Sequence, residues 1–156
     1  MKKLSTLAAV VISLILCSIN VRCEEDKDRY QRYVAQICED YDMCPELIEA
    51  IIETESNWDA KATNGNCVGL MQINKKIHKA RMKKLGVKNL KNPYGNILVG
   101  VDLLTELVEQ YDDIGTALNI YSMGTKGAKL AAKGKYSYYT RHILKRSEEL
   151  ERLHGK

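Results

Sequence analysis

The chain has 156 residues, a length that suits one domain, and 45% of them are hydrophobic, enough for a packed core of ordinary size. Its formal net charge of +4 depends on the first 23 residues, which contain Lys2, Lys3 and Arg22 and no acids. Without them, 24 − 3 = 21 basic residues face 20 acidic ones, a balance of +1, so nothing in the composition calls for a nucleic-acid partner.

The N-terminal segment, residues 1–23, has the pattern of a secretory signal peptide. A short basic region, Lys2-Lys3, precedes an apolar run that extends from residue 7 to residue 17. The run is shorter than the about 20 apolar residues that cross a bilayer. We therefore predict export with cleavage after Cys23, or as a weaker option after Ser18, and an uncleaved membrane anchor is the alternative. The predicted location is the cell envelope (periplasm or cell wall) or the exterior.

Three cysteines follow this segment, Cys38, Cys44 and Cys67, and their spacing matches no zinc motif. The histidines are scattered along the chain, so we expect neither a metal nor a cofactor. Export favours a disulfide, because oxidising compartments preserve such bonds. We predict a bond between Cys44 and Cys67, which flank the second predicted helix and its loop. The rival pairing is Cys38 with Cys44.

Helical periodicity dominates the rest of the chain, and no strand pattern of any length is present. The charged residues 24–29 are expected to form a flexible segment before a single domain over 30–156. The first helix is predicted over 30–41, where apolar residues recur at spacings of three and four. The second is predicted to start at Pro45, which suits a first helical turn, and to run to Asn57.

The second half of the chain continues this helical pattern. Asn92-Pro93 predicts a capped helix start. The other predicted elements, in chain order, are a loop over 58–68, a short turn or helix over 69–73, helices over about 75–85 and 115–121, a loop over 122–134 and a last helix over 138–153. The sequence therefore predicts an all-α domain of six or seven helices.

The second predicted helix places one glutamate among apolar side chains. Leu47, Ile51 and Glu55 are spaced i, i+4 and i+8, so they share one face. The remaining glutamates of the helix are predicted to lie on the other side: Glu46, Glu49 and Glu53. A carboxyl group held against apolar packing has a raised pKa and suits a general acid. The structural alternative is a glutamate at a helix end that turns to solvent or caps a neighbouring amide.

Three further segments have features of a glycan site. The Gly69-Leu70-Met71-Gln72 motif combines a close backbone approach with an adaptable apolar side chain and an amide. Such groups match the apolar faces and the hydroxyls of sugar rings. Residues 117–124 and 138–144 add tyrosines and a serine near a glycine-containing loop. Taken singly, each segment is also compatible with ordinary core packing.

Together with Glu55-Ser56, and in this order, these segments resemble the catalytic domain of family 1 lytic transglycosylases, the soluble lytic transglycosylase type. Glu-Ser followed by Gly-Leu-Met-Gln is the central signature of that family, and the stretch after Asn92-Pro93 is similar to a further part of it. The resemblance extends from about Tyr33 to Leu150. It implies a lysozyme-like fold and a monomeric enzyme that acts on peptidoglycan.

The resemblance also implies roles for individual residues. Glu55 matches the catalytic acid, and Ser56 matches the serine that hydrogen-bonds beside it. The residues that match substrate-binding positions of the groove are Met71, Gln72, Tyr121, Ser122 and Tyr139. Ile120 and Ser122 depart from the family, which has alanine and asparagine at these positions. One contact to the N-acetyl sugar is therefore expected to be lost or altered.

The resemblance implies a reaction in which the substrate supplies the group that a second carboxylate would otherwise provide. Most glycosidases use two carboxylates, but Asp59, the next acid after Glu55, lies in a polar loop. By resemblance, Glu55 promotes cleavage between N-acetylmuramic acid and N-acetylglucosamine, and the product carries a 1,6-anhydro ring. The alternatives are a goose-type-lysozyme-like muramidase, which uses water, and a non-catalytic glycan-binding module. Small single-domain members of the family often accompany conjugation, secretion or phage machinery.

Overall fold

The computed structural model describes residue 12 and residues 24–156, so the predicted signal peptide lies outside the described residues except for Ile12. The chain divides into two units, of which the first ends at Arg32 and the second comprises Tyr33–Lys156. In the first unit, residues 24–32 are helical, and Arg29 pairs with nearby carboxylates of the same helix. Within the described part of the chain, no helix combines the length and apolar character needed to span a bilayer.

Seven helices are present in the described residues, within the predicted range. The first, α1, covers residues 24–41, so it begins earlier than predicted and includes the segment 24–29 that was expected to be flexible. The others are α2 (Pro45–Ser56), α3 (Lys79–Lys84), α4 (Pro93–Tyr111), α5 (Ile114–Met123), α6 (Thr125–Ala131) and α7 (Tyr138–Leu153). The all-α fold class is therefore confirmed, and the bounds of α2 and α7 match the predictions to within one residue.

A small antiparallel sheet lies between α2 and α3, where no strand was predicted. Its strands are β1 (Thr63–Asn64), β2 (Cys67–Val68) and β3 (Ile73–Asn74), in that order. Thr63 pairs with Val68, and Val68 pairs in turn with Ile73. Strands of two residues are too short to produce a readable alternation, which is why the prediction of a simple loop over 58–68 was wrong. The sheet folds the chain back beside the end of α2.

Helix α6 was also missed, because its sequence contains a glycine in the interior. Glycine disfavours a helix by about 1 kcal/mol, and residues 122–134 were predicted as a loop. The structure gives the reason for Gly127: a Cβ atom at this position would lie 2.0 Å from the carbonyl oxygen of Asn119 in α5. The close packing of α6 against α5 thus requires glycine at position 127, and the same glycine is the reason that the helix was not predicted.

Helix α4 begins as predicted. The Asn92 side chain accepts a hydrogen bond from the Gly95 backbone N–H at 3.0 Å, and Pro93 occupies the first turn. The apolar stripe of this helix is buried at Ile97, Val101 and Leu104. Helix α4 therefore passes through the core beneath the small sheet and against α5.

The side of α2 opposite Glu55 is buried at two of its glutamates. Glu46 is 2% exposed and Glu49 is 6% exposed, because α2 packs along the length of α7. The Glu46 carboxylate lies 2.9 Å from Nδ1 of His154 and 2.8 Å from Nζ of Lys156. Burial alone would raise the pKa of Glu46, but hydrogen bonds from Lys156 and His154 outweigh it and lower the pKa to about 2. The Lys156 ammonium group and the His154 ring thus stabilise a buried anion.

The predicted disulfide between Cys44 and Cys67 is wrong, since Cys38, Cys44 and Cys67 are all free thiols. Cys44 precedes the first residue of α2, whereas Cys67 lies in β2, beyond the other end of that helix. A helix of 12 residues is about 18 Å long, and a disulfide needs Cα atoms within about 7 Å. The rival bond between Cys38 and Cys44 is also not formed.

We expect Glu46→Gln to reduce the free energy of unfolding by about 1–3 kcal/mol at pH 7, because two charge-assisted hydrogen bonds are lost. The folded pKa of about 2 lies below the ordinary 4.5, so the stabilisation is present above pH 4.5 and is lost as pH falls through about 2. Urea unfolding at several pH values measures this. The control is Glu53→Gln, which removes a more exposed pair and is expected to cost less than about 1 kcal/mol. Equal losses at pH 7 would contradict the assignment.

Candidate active site

A cleft of about 620 Å³ lies between the end of α2, the small sheet, α4, α5 and the start of α7. Its lining combines apolar side chains with amides and hydroxyls. The described residues that line it are Glu55, Asn64, Cys67, Gln72, Ile73, Asn74, Ile77, His78, Leu103, Leu107, Ile120, Tyr121, Ser122, Met123, Gly124 and Tyr139. Residues 24–156 contribute one carboxylic acid to this lining, Glu55.

Glu55 lies in the last turn of α2, where the helix brings it to the cleft beside buried residues. The helix ends at Asn57, which has a left-handed φ of 48° and whose N–H bonds to the Glu53 carbonyl. The hydroxyl of Tyr139 donates a hydrogen bond of 2.7 Å to Oε1 of Glu55. Burial raises the pKa of Glu55, and the Tyr139 hydrogen bond lowers it by less, so the net shift is upward. This carboxyl group can therefore hold a proton to a higher pH than an exposed glutamate.

The neighbouring acids have other partners. Glu53 forms two hydrogen bonds with Arg146 of α7, at 3.0 and 3.1 Å, and does not line the cleft. Asp59 accepts the Lys61 backbone N–H at 2.8 Å in an exposed turn. These contacts give both carboxylates structural functions and leave Glu55 as the acid that faces the cleft.

The turn over residues 69–72 is placed by Asn96 of α4. The Asn96 Oδ1 atom accepts the Met71 backbone N–H at 2.8 Å, and its Nδ2 donates to the carbonyls of Val68 and Leu90 at 2.7 and 3.0 Å. Gly69 has a φ of 79°, and a Cβ there would lie 2.3 Å from Nδ2 of Asn96. The predicted close approach at Gly69 is thus confirmed, and its reason is this buried amide.

The structure corrects the predicted position of Met71. This residue has no exposed surface, and its sulfur lies so close to Gly100 of α4 that a Cβ there would be 2.3 Å away. Met71 supports the turn from below and does not line the cleft. An adaptable apolar side chain filling an irregular space in the core explains its presence.

Gln72 lines the cleft as predicted, at the end of the turn. Its Nε2 atom donates to the carbonyls of Gly69 and Ala62 at 2.9 and 3.2 Å, so the side chain is fixed by the backbone. Tyr121 of α5 holds the same turn from the other side, because its hydroxyl donates to the Met71 carbonyl at 2.7 Å. Burial, followed by the charge of Glu55, raises the pKa of Tyr121 well above its ordinary value, so its phenol stays neutral.

The two candidate serines use their hydroxyls within their own helices. Ser122 lines the cleft, but its Oγ donates toward the carbonyls of Leu118 and Asn119 at 3.1 and 3.2 Å. Ser56 donates to the Ile52 carbonyl at 3.1 Å and is not among the cleft-lining residues of the described chain. The predicted hydrogen bond between Ser56 and the acid is therefore absent, and Tyr139 occupies that role for Glu55.

A second buried amide, Asn119, was not predicted as part of the site. Its Nδ2 donates to the Lys135 carbonyl, and its Oδ1 accepts from the Ser137 N–H and the Thr140 hydroxyl, at 2.9, 2.9 and 2.7 Å respectively. These contacts fix the start of α7 and hence the position of Tyr139. The signal in the sequence was an asparagine within an apolar helical segment, where it disfavours the helix unless it has partners.

Several other cleft residues come from the sheet and the turn after it, which the sequence did not reveal. Asn64, Cys67 and Asn74 lie on the three short strands, and His78 precedes α3. Burial, and then the charge of Arg81, lowers the pKa of His78. Most of this wall of the cleft therefore consists of neutral polar groups.

The sequence profile described as the transglycosylase SLT domain matches residues 32–144, which include α2, the small sheet and the start of α7. The chain belongs to the SLT transglycosylase domain family. Within that match lie Glu55, the 69–72 turn and Tyr139, the features that form the cleft.

Two relatives of this SLT domain come from a phage and from Salmonella. A protein named "Transglycosylase" from Enterobacteria phage PRD1 is 38% identical over 96 residues, which cover 61% of this chain and 35% of the phage protein. "Invasion protein IagB" from Salmonella typhimurium and Salmonella typhi is 30% identical over 100 residues, which cover 59% of this chain and 62% of the relative. The chain thus matches only part of the length of these relatives.

We expect Tyr139→Phe to raise the pKa of Glu55 further, because it removes the hydrogen bond that lowers it. The titration of the Glu55 side-chain carbon, followed by NMR with ¹³C-labelled glutamate, measures the shift. Glu53 provides an internal control, since its partner is Arg146. If the pKa of Glu55 stayed constant or fell in the variant, the hydrogen bond would not be tuning the acid as described.

Proposed function

We propose that this SLT domain is a peptidoglycan lytic transglycosylase that cleaves the β-1,4 bond between N-acetylmuramic acid and N-acetylglucosamine and forms a 1,6-anhydro-muramoyl product. The observation that carries the proposal is the single protonatable acid, Glu55, half-buried in a glycan-sized cleft with Tyr139 as its hydrogen-bond partner. The family membership supports the same reaction class.

The reaction begins with protonated Glu55, which donates its proton to the bridging oxygen as the bond to the anomeric carbon breaks. The acetamido oxygen of the muramoyl sugar stabilises the positive anomeric carbon. Glu55, now a carboxylate, accepts the proton of the muramoyl 6-hydroxyl, whose oxygen closes the anhydro ring. One residue thus gives and recovers one proton. Burial favours the acid form at the first step, and the Tyr139 hydroxyl stabilises the carboxylate at the second.

The rest of the cleft suits a polysaccharide that carries N-acetyl groups. Amide side chains line it at Asn64, Gln72 and Asn74, and apolar side chains line it at Leu103 and Leu107. Side-chain amides can pair with sugar hydroxyls and acetamido groups, whereas the apolar residues suit ring faces and methyl groups. Sugar rings can therefore meet both kinds of surface along this cleft.

The departure at Ser122 alters one part of this surface. Its hydroxyl is engaged by the backbone of α5, at 3.1 Å from the Leu118 carbonyl, and it is shorter than the asparagine that the family has at this position. We propose that the remaining amides, above all Gln72, supply the contact to the N-acetyl sugar. This changes how the substrate is positioned and leaves the acid chemistry intact.

The two alternatives have less support from the cleft. A hydrolase that uses two carboxylates needs the second about 5–9.5 Å from the first, and the described residues of the cleft lining include no acid besides Glu55. A pure binding module has no use for a protonatable carboxyl group of raised pKa in its groove. The lyase reaction fits this arrangement because the nucleophile is part of the substrate.

We propose the cell envelope as the place of action, since peptidoglycan is found there and the N-terminal segment has the pattern of a signal peptide. The family resemblance implies a local role beside conjugation, secretion or phage machinery, and the phage origin of one relative fits this. We propose the same class of role for this chain, as a monomer that opens the glycan mesh. Fractionation of expressing cells and the mass of the purified protein test location and oligomeric state.

Glu55→Gln is expected to reduce glycan cleavage by at least about 10²–10⁴-fold, because the proton donor is removed. Binding to purified sacculi and thermal stability are expected to remain close to the unaltered protein. The matched control, Glu53→Gln on the same helix, should retain most activity. An active Glu55→Gln protein beside an inactive Glu53→Gln protein would overturn the assignment of the acid.

Mass spectrometry of the digest products distinguishes the reaction types. A transglycosylase yields muropeptides one water lighter than hydrolysis products, without a reducing muramic acid. Products with free reducing ends would instead identify a lysozyme-like hydrolase, still with Glu55 as its acid. Retained binding with no cleavage at all would favour the glycan-binding module.

A further inference from the structure

A second groove adjoins the cleft and carries a strong positive charge. It has a volume of about 1050 Å³ and lies between the turn joining β1 and β2, the segment before α3, α3 itself and the loop after it. Five lysines line it: Lys75, Lys76, Lys79, Lys83 and Lys88. Within the described chain, no acidic residue lines this groove.

The charge results from a segregation along the sequence. Residues 60–100 contain nine Lys and Arg and no Asp or Glu, whereas residues 33–59 contain eight Asp and Glu and no Lys or Arg. The segment 60–100 thus carries a charge of +9, and the net negative charge of the rest of the domain largely cancels it. Such a concentration of one sign produces a local potential that attracts anions.

The five groove lysines differ from Arg81 and Lys84 of α3 in their ion pairing. Arg81 pairs with Asp102 and with Glu106 of α4, and Lys84 lies 3.6 Å from Asp102. The five groove lysines are exposed and form no ion pair with any carboxylate of residues 24–156. Their charge is therefore available to an external anion.

The floor of the groove is apolar. Val68 of β2, Met82 of α3 and Val87 of the following loop line it beneath the ammonium groups. Ile77, which is 72% exposed, lines both this groove and the cleft that contains Glu55. The two concave surfaces therefore adjoin at Ile77, so one extended ligand can contact both.

We propose that this basic groove binds the acidic stem peptide of a peptidoglycan strand whose glycan lies in the cleft. The inference rests on the proposed function, which supplies the strand. A stem peptide offers carboxylates for the lysines and small methyl side chains for the apolar floor, and its covalent attachment to the glycan requires two adjoining surfaces. The groove thereby selects strands that still carry acidic peptides.

A membrane surface is the main competing partner for a lysine cluster. It fits this site less well, because the lysines line a concave groove that adjoins the cleft at Ile77. A bilayer would meet the rim and leave the apolar floor unused. The experiment therefore includes lipid vesicles as a separate arm.

The test uses the charge-reversal variant Lys79→Glu/Lys83→Glu, whose two exposed residues lie one turn apart on α3. The matched control, Lys129→Glu/Lys133→Glu, makes the same charge change at two exposed residues of the same spacing in and just after α6, outside both the groove and the cleft. Both pairs are introduced into the Glu55→Gln protein, so that binding is measured without cleavage. Thermal unfolding checks that each variant remains folded.

Binding to purified sacculi is expected to weaken about tenfold for Lys79→Glu/Lys83→Glu at low ionic strength, and about twofold or less for the control. The difference should shrink as salt is raised to 0.5 M, because exposed charges are screened. On glycan strands stripped of peptides by an amidase, the two variants should bind equally. The affinity of a neutral variant, Lys79→Gln/Lys83→Gln, for intact sacculi should lie between those of the protein with both lysines and the charge-reversal variant.

Three results would overturn the proposal. The first is equal binding of groove variant and control to intact sacculi. The second is an equally large loss on peptide-free strands, which would assign the lysines to the glycan itself. The third is a loss confined to phosphatidylglycerol vesicles, which would assign them to a membrane surface.

The failure of the proposed function has a different signature. Glu55-containing protein would then cleave neither intact nor peptide-free strands, whatever the state of the groove. Peptide-dependent binding that vanishes in Lys79→Glu/Lys83→Glu would still support the groove in that case. Conversely, if both substrates were cleaved and the groove variant had no effect on binding, the proposed enzymatic function would stand and the proposed peptide site would be rejected.

Discussion

The side-chain amide of Asn96 joins three backbone segments in the core: the strand residue Val68, the turn at Met71 and the loop at Leu90. Buried donors and acceptors that lose their partners cost about 1–3 kcal/mol each, so these segments are held together as a unit. Gly69 is the residue that allows the amide to come so close. The turn placed in this way carries Gln72 into the cleft and offers the carbonyl to which the Tyr121 hydroxyl binds. The position of this wall of the cleft follows from the Asn96 amide.

Two shielded carboxylates of helix α2, Glu46 and Glu55, have opposite properties, and the comparison explains why Glu55 can retain a proton. Glu46 is more deeply buried, yet its pKa is lowered to about 2, because Lys156 and His154 donate hydrogen bonds to it. Glu55 has a neutral phenol as its partner, so burial prevails and its pKa rises. Burial alone therefore does not determine the protonation state of a carboxyl group. The sign of the shift depends on whether a cation accompanies it.

The sequence predicted the long elements and a shielded carboxyl group at Glu55, because both depend on local patterns. The bounds of α7 and the cap at Asn92 were readable from periodicity and capping residues, and Glu55 from its place on the Leu47–Ile51 face. The two-residue strands could not be predicted, because they exist only through pairing between segments. Helix α6 was not predicted because it contains Gly127, and the reason for this glycine is its close contact with α5. Met71 and Ser56 have the residue types of a sugar groove, but tertiary packing buries Met71 in the core, and the Ser56 hydroxyl bonds to a carbonyl of its own helix.

The hydrogen bond between Tyr139 and Glu55 joins residues that are 84 positions apart in the chain. During synthesis, α2 leaves the ribosome long before α7 does, so for most of translation the carboxyl group has neither its phenol nor the packing of the last helix. Contacts of such long sequence separation form late, because the intervening chain must first be ordered. Asn119 adds a further condition, since it must bind the segment at Ser137 before Tyr139 is in place. The arrangement delays assembly of the acid until nearly the whole domain has been made, so partial chains carry an unformed site.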